Sequence, residues 1–200
     1  MAHRILTVCT GNICRSPIAE HLLTTHLAHH DITVTSAGTH AMVGCAMPGQ
    51  ARHWSLLLGG HGAKEHRGVQ LTAAQIQDAD LVLALDRQHR RTVVELHPPA
   101  SRYCFTLLEF AHIVSTMTED KMTEELAPPG SGQEGSVMAR VVALVGSMRG
   151  VVPPLDHRDD YDVVDPYLGS DDMYAHAAKV IETAVLRIAG FVDQVAHRPA

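Results

Sequence analysis

Along the chain, short apolar runs alternate with stripes of helical period. Residues 5–8, Ile-Leu-Thr-Val, form an apolar run of strand length. Residues 17–29 then place Ile18, Leu22, Leu23 and Leu27 on one helical face, and Pro17 suits the first turn. Residues 31–36 predict a second strand, after which Ala37, Gly38 and Thr39 turn the chain. A helix is expected over 49–58, broken by Gly59 and Gly60, and a short one over 72–78. Residues 81–85 are apolar throughout, as in a parallel strand buried on both faces. A helix over 87–96 stops at Pro98 and Pro99, a fourth strand is expected over 102–106, and a further helix over 107–115. Ser170 and the acidic residues after it open a closing helix over 171–195. Its predicted buried side is Met173, Ala177, Val180, Ile181, Ala184, Leu186 and Ile188.

Strands that alternate with helices predict a three-layer α/β fold: a four-stranded parallel sheet flanked by helices on both faces. Right-handed crossovers would bring the loop after the first strand to the carboxyl edge of that sheet, where such folds bind ligands. Residues 116–154 break the rhythm. Residues 119–125 are charged, and residues 128–132 (Pro-Pro-Gly-Ser-Gly) have linker composition. Val137, Val141, Leu144, Val145 and Met148 then share one helical face. The expectation is one domain over residues 1–200 with a helical insertion at about 116–154, which packs on the domain surface or docks a partner. There is no internal repeat.

Composition narrows the classes. The chain is 46% hydrophobic and 19% charged, ordinary values for a globular protein. Its apolar runs are far too short to cross a bilayer, and residues 1–4 lead into the first strand without a signal-peptide core. No membrane partner is expected, and the expected location is cytoplasmic. A net charge of −6 argues against nucleic acid as a partner. Cys9, Cys14, Cys45 and Cys104 have neither disulfide-framework nor zinc-site spacing. There are fifteen histidines, with His26 and His30 one helical turn apart; they read as solvated surface groups, and no metal is expected.

The chemistry concentrates in residues 9–17, Cys-Thr-Gly-Asn-Ile-Cys-Arg-Ser-Pro, between the first strand and the first helix. A loop that caps a helix N-terminus turns several backbone N–H groups toward one point, and the helix dipole favours negative charge there. Arg15 adds a planar fork that matches a phosphate. The same positive field favours the thiolate form of Cys9, and a thiolate inside a phosphate cradle is a nucleophile aimed at phosphorus. Cys-x5-Arg spacing alone is a weak signal. The full string CTGNICRSPIAE after an N-terminal strand is a strong one.

On that string the chain resembles the low-molecular-weight protein tyrosine phosphatase family, over residues 4 to about 112 and 155–190. The resemblance implies a phosphocysteine mechanism without metal or organic cofactor. Cys9 is the nucleophile, and Arg15 holds the equatorial oxygens. Thr10, Gly11, Asn12, Ile13, Cys14 and Ser16 complete the phosphate-binding loop, with Ser16 hydrogen-bonded to the thiolate. Ser36 and His66 match residues that brace Asn12. Asp165, in the triplet Asp165-Pro166-Tyr167, matches the family's general acid, and Pro166 itself drives the preceding residue into extended backbone. Asp159, Asp160 and Asp162 are rivals for that role, read as solvated loop charges. Met42, Tyr167 and Leu168 are the expected pocket rim. Many members carry aromatic residues at the first and last of these positions, so this rim should stack a phosphotyrosine ring less specifically.

The implied substrate is a phosphotyrosine-containing protein or an aryl phosphate, with inorganic phosphate as product. Cys14, five positions from Cys9 on the same tight loop, is the expected redox partner. Two other enzymes remain in view. An arsenate reductase of the same fold would need further cysteines, and residues 86–98 contain none. An arginine phosphatase of this family carries threonine where Ile13 stands, and an isoleucine suits an aromatic ring better than a guanidinium. A non-catalytic phosphate sensor would need neither Cys9 nor Asp165.

Overall fold

The computed structural model describes residues 3–117 and 136–197. Strands β1 (His3–Cys9), β2 (Ile32–Gly38), β3 (Leu81–Ala84) and β4 (Cys104–Thr106) pair in parallel in the order β2-β1-β3-β4. Helices α1 (Arg15–His26), α2 (Gly49–Leu57), α3 (Ala73–Gln77), α4 (Arg87–Leu96), α5 (Leu107–Ser115), α6 (Val137–Ser147) and α7 (Asp171–Ala196) complete the described elements. The pleat divides the core in two. Ile5, Leu81, Leu83 and Phe105 point into the main core with α1, α5, α6 and α7. Leu6, Val8, Val82 and Cys104 point the other way, onto Ile76 of α3 and Val93 of α4. This is the expected three-layer arrangement.

Several local expectations change. β2 runs on through Gly38 instead of turning at Ala37. β4 begins at Cys104 rather than 102, because Pro98–Arg102 forms a 3₁₀ turn; Pro98 and Pro99 fix φ near helical values and supply no ladder donors. Helix α1 begins at Arg15 rather than 17, with Cys14 as its N-cap, so Arg15 and Ser16 lie in its first turn. On α7 the buried stripe is Tyr174, Ala177, Ala178, Ile181, Ala184, Val185 and Ile188, whereas Met173 and Leu186 are 37% and 48% exposed. Each of these two lies one residue out of phase with the stripe, which rotates it by roughly 100° around the helix.

Helix α6 is part of the main core rather than an appendage. Met138, Val141, Leu144 and Val145 are buried in one cluster with α5 and α7. Burial of each large side chain stabilises by about 1.5–3 kcal/mol, so removal of this helix would strip one wall of the domain. The charged stretch 119–125 and the linker-like stretch 128–132 lie outside the described residues. Among the described residues, no helix is long and apolar enough to cross a membrane.

Candidate active site

Cys9 ends β1 where the sheet order reverses, with β2 on one side and β3 on the other. The chain must turn sharply from this strand into α1. Asn12 makes that turn with φ 54°, a left-handed conformation that asparagine tolerates better than most residues. Tertiary contacts hold it there. Its Nδ2 donates to Ser16 Oγ at 3.0 Å and to Ser36 Oγ at 2.7 Å, and its Oδ1 accepts from the Val69 amide at 2.8 Å. Its carbonyl oxygen lies 2.7 Å from His66 Nε2. Ser36 in turn donates to Glu20 on α1. Burial pushes the His66 imidazole below its ordinary pKa, and its Nε2 donates to the Asn12 carbonyl, which can only accept. Burial pushes the Glu20 carboxyl up, against the hydrogen bond from Ser36.

The bracing of Asn12 fixes the surroundings of the Cys9 sulfur. The Asn12 amide donates to Cys9 Sγ at 3.3 Å, and Ser16 Oγ lies 3.0 Å from it. The Arg15 and Ser16 N–H groups, at the start of α1, precede any intrahelical acceptor, and the helix dipole there favours negative charge. Gly38, at the end of β2, lets the strand approach the loop: a Cβ there would sit 2.5 Å from the Thr10 carbonyl oxygen.

Arg15 is buried, and its guanidinium ties the loop to two distant segments. Nη1 donates to the Val163 carbonyl at 2.9 Å and to Asp86 Oδ2 at 3.3 Å. Nη2 donates to Asp165 Oδ2 at 2.7 Å. Val163 is itself anchored through its N–H to the Leu85 carbonyl at 2.9 Å, which lays residues 163–165 across the carboxyl edge of the sheet. Asp165 Oδ1 accepts from the Tyr167 amide at 3.2 Å, a local turn that Pro166 favours. Asp162 is not a solvated charge: it grips Arg87 through the backbone amide at 2.8 Å and through Nη2 at 2.7 Å. Asp159 reaches the same guanidinium at 3.0 Å.

Asp86 and His89 are site residues that sequence reasoning missed. His89 is buried, with Nε2 2.8 Å from Thr10 Oγ1 and Nδ1 3.0 Å from Asp86 Oδ1. The His89 amide donates to the same Asp86 oxygen at 2.7 Å, as the N-cap contact of α4. Burial pushes the Asp86 carboxyl up, but its contacts with His89 and Arg15 outweigh this and hold it below the usual range. Asp86 thus fixes Arg15 from one side and, through His89, orients the Thr10 hydroxyl from the other. The Asp-Arg-Gln-His start of α4 held a capping signal, but nothing in it pointed to residue 10.

These groups surround a cavity of about 140 Å³ lined by Cys9, Thr10, Gly11, Ile13, Cys14, Arg15, His40, Met42, Asp165 and Tyr167. The expected rim is corrected at one position. Met42 and Tyr167 line the cavity, but Leu168 does not; it is 85% exposed, with φ 63°. The turn that follows Asp165-Pro166-Tyr167 swings the chain away into α7. His40 takes a place in the lining that was not anticipated. Cys14 is buried beside Tyr174 of α7, and burial pushes its thiol up to about 12. The arrangement combines a cysteine sulfur, a fixed guanidinium and a carboxyl group around an apolar-walled slot.

Comparison with known proteins agrees with this geometry. The profile of the low molecular weight phosphotyrosine protein phosphatases matches residues 4–147, running through the region expected to fall outside the resemblance. The low molecular weight protein-tyrosine-phosphatase Etp of Escherichia coli is 40% identical over 96 residues, 47% of this chain and 62% of Etp. The match thus spans just under two thirds of that relative. A protein-arginine-phosphatase of Geobacillus stearothermophilus is 39% identical over 111 residues, 55% of this chain and 72% of that protein. Among solved structures, the tyrosine phosphatase AmsI of Erwinia amylovora superposes with a TM-score of 0.65 at 25% identity, covering 95% of this chain and 93% of that one. Asp165 lies beyond the profile match, so geometry carries the argument for it.

Proposed function

The chain belongs to the low molecular weight phosphotyrosine protein phosphatase family, and on that premise we propose that it hydrolyses phosphotyrosine through a phosphocysteine intermediate. The observation that carries the reading is Arg15 Nη2 held 2.7 Å from Asp165 Oδ2 in the slot that Cys9 lines. Phosphate oxygens that enter the loop compete for this guanidinium N–H. They release Asp165, which takes up a proton from solvent and turns toward the ester oxygen. The Cys9 thiolate attacks phosphorus in line, an S–P bond forms and the P–O bond to the phenol breaks. Asp165 gives its proton to the departing oxygen. Arg15 and the loop amides hold the equatorial oxygens as charge redistributes, and the Asp86–His89–Thr10 contacts keep the guanidinium and hydroxyl in place. Asp165, now ionised, takes a proton from water as that water attacks phosphorus. The S–P bond breaks and inorganic phosphate leaves.

Ile13 and Met42 give the slot apolar walls, which supports an aryl ring over a guanidinium or a short aliphatic chain. Phosphotyrosine should therefore be cleaved with a kcat/KM at least about tenfold above phosphoserine and phosphoarginine, the range for one apolar-pocket contact. A panel of these three phosphorylated amino acids with arsenate, assayed by phosphate release and thiol consumption, checks this. Preference for phosphoarginine would overturn the assignment, as would arsenate-dependent thiol oxidation.

Cys14 is proposed as the resolving thiol for Cys9. Peroxide oxidises Cys9 to a sulfenic acid, the Cys14 thiol condenses with it, a disulfide forms and water leaves. After a peroxide pulse, dithiothreitol should restore the wild type but not Cys14→Ala, whose Cys9 continues to irreversible acids. Equal recovery in both proteins would exclude the pairing.

A further inference from the structure

We propose that His29, His30 and Asp193 form a binding site for a divalent late transition ion such as zinc, remote from the phosphate loop. His29 and His30 lie in the segment between α1 and β2, and Asp193 lies in the last turns of α7. His29 Nε2 sits 2.8 Å, and His30 Nε2 2.6 Å, from the same Asp193 Oδ1. The two rings lie side by side, with centroids 4.2 Å apart and planes tilted by 40°. All three ligand atoms lie within 4.8 Å of one another. A tetrahedral zinc ion, with bonds of about 2.0–2.2 Å, spaces its ligand atoms by roughly 3.3 Å. The nitrogens need to part from the carboxylate oxygen by only about half an ångström to admit it.

The donor set selects the class of ion. Two imidazoles and one carboxylate suit zinc, nickel or copper, whereas magnesium and calcium prefer all-oxygen sites. His29 is 58% exposed, which leaves an open side for water as a further ligand, while His30 and Asp193 are more sheltered. The helical pair noted in the sequence, His26 and His30, is not the one that converges. His30 instead pairs with its neighbour and with a residue 163 positions away. An ion here would fasten the chain just beyond α1, the helix whose first turn carries Arg15, to the end of α7.

The probe is zinc chloride, titrated calorimetrically into the untagged full chain in a buffer that does not chelate. The wild type should bind one equivalent that His29→Gln, His30→Gln and Asp193→Asn each weaken by at least about tenfold, and that an exposed control, His53→Gln, retains. Zinc held by thiols such as Cys9 or Cys45 persists in every variant, so the site is the equivalent those three lose. With zinc about 100-fold above its Kd, the wild-type melting temperature should rise by about 5–10 °C, and EDTA should reverse the shift. His29→Gln changes a mostly exposed side chain, so it separates loss of ligation from loss of folding, with its metal-free melt as the check. Absence of a stoichiometric site in the wild type, or unchanged affinity in the three variants, would overturn the proposal.

Discussion

Cys9→Ser is expected to lose at least about 10⁴-fold in kcat on any aryl phosphate, the scale seen when an enzyme's nucleophile is removed. The same protein should still bind inorganic phosphate. The contrast follows from the division of labour in the loop. Arg15 and the first turn of α1 supply attraction for the anion, and neither depends on the atom at the end of residue 9. Attack on phosphorus does depend on it. The Asn12 amide donates to the Cys9 sulfur at 3.3 Å, and the Ser16 hydroxyl lies 3.0 Å from it. A serine hydroxyl in that place remains protonated, and its expected contacts, the Asn12 amide and the Ser16 hydroxyl, are not bases that could activate it. Steady-state assays beside calorimetric phosphate binding check both halves. Turnover near the wild-type rate would remove the phosphocysteine mechanism.

Asp165→Asn is expected to slow phosphotyrosine cleavage by about 10²–10⁴-fold, the range for a positioned general acid. The deficit should shrink for esters whose phenols leave readily, because these need little help from a proton. KM should change much less, since the amide removes a charge that competes with phosphate for Arg15. A series of substituted phenyl phosphates, with kcat plotted against leaving-group pKa, tests this. An equal loss across the series would assign Asp165 another role. Asp162→Asn is the control. That residue grips Arg87, so its loss should loosen the 159–162 turn without a dependence on leaving group.

Several parts of this protein are written locally. The apolar runs and helical stripes set the order of strands and helices, because each depends on spacings of two to four residues. The helices over 87–96 and 107–115 matched their expected bounds; Pro98 and Pro99 mark the end of the first, and Asp86 and Thr106 cap both through contacts three positions away. The Cys9-to-Arg15 loop was legible for the same reason: its thiol, turn residue and guanidinium sit on one short stretch. Asp165 could be singled out because Pro166 follows it.

The remainder was decided by the sheet. Once β1 lies between β2 and β3, Glu20 falls behind Ser36, and Asp86 and His89 fall against Arg15 and Thr10. These contacts join residues that no local pattern relates. The first residue of α1 and the direction of Leu168 are also tertiary outcomes, set by the loop's anchors and by the turn into α7. The stretch expected as an insertion contributes a core helix, because its apolar face meets α5 and α7. Two neighbouring histidines and one aspartate become a cluster only because the long α7 runs back along α1 to its far end. Period and caps act through the nearest turns of chain, whereas a site built from distant residues exists only when packing closes the loops between them.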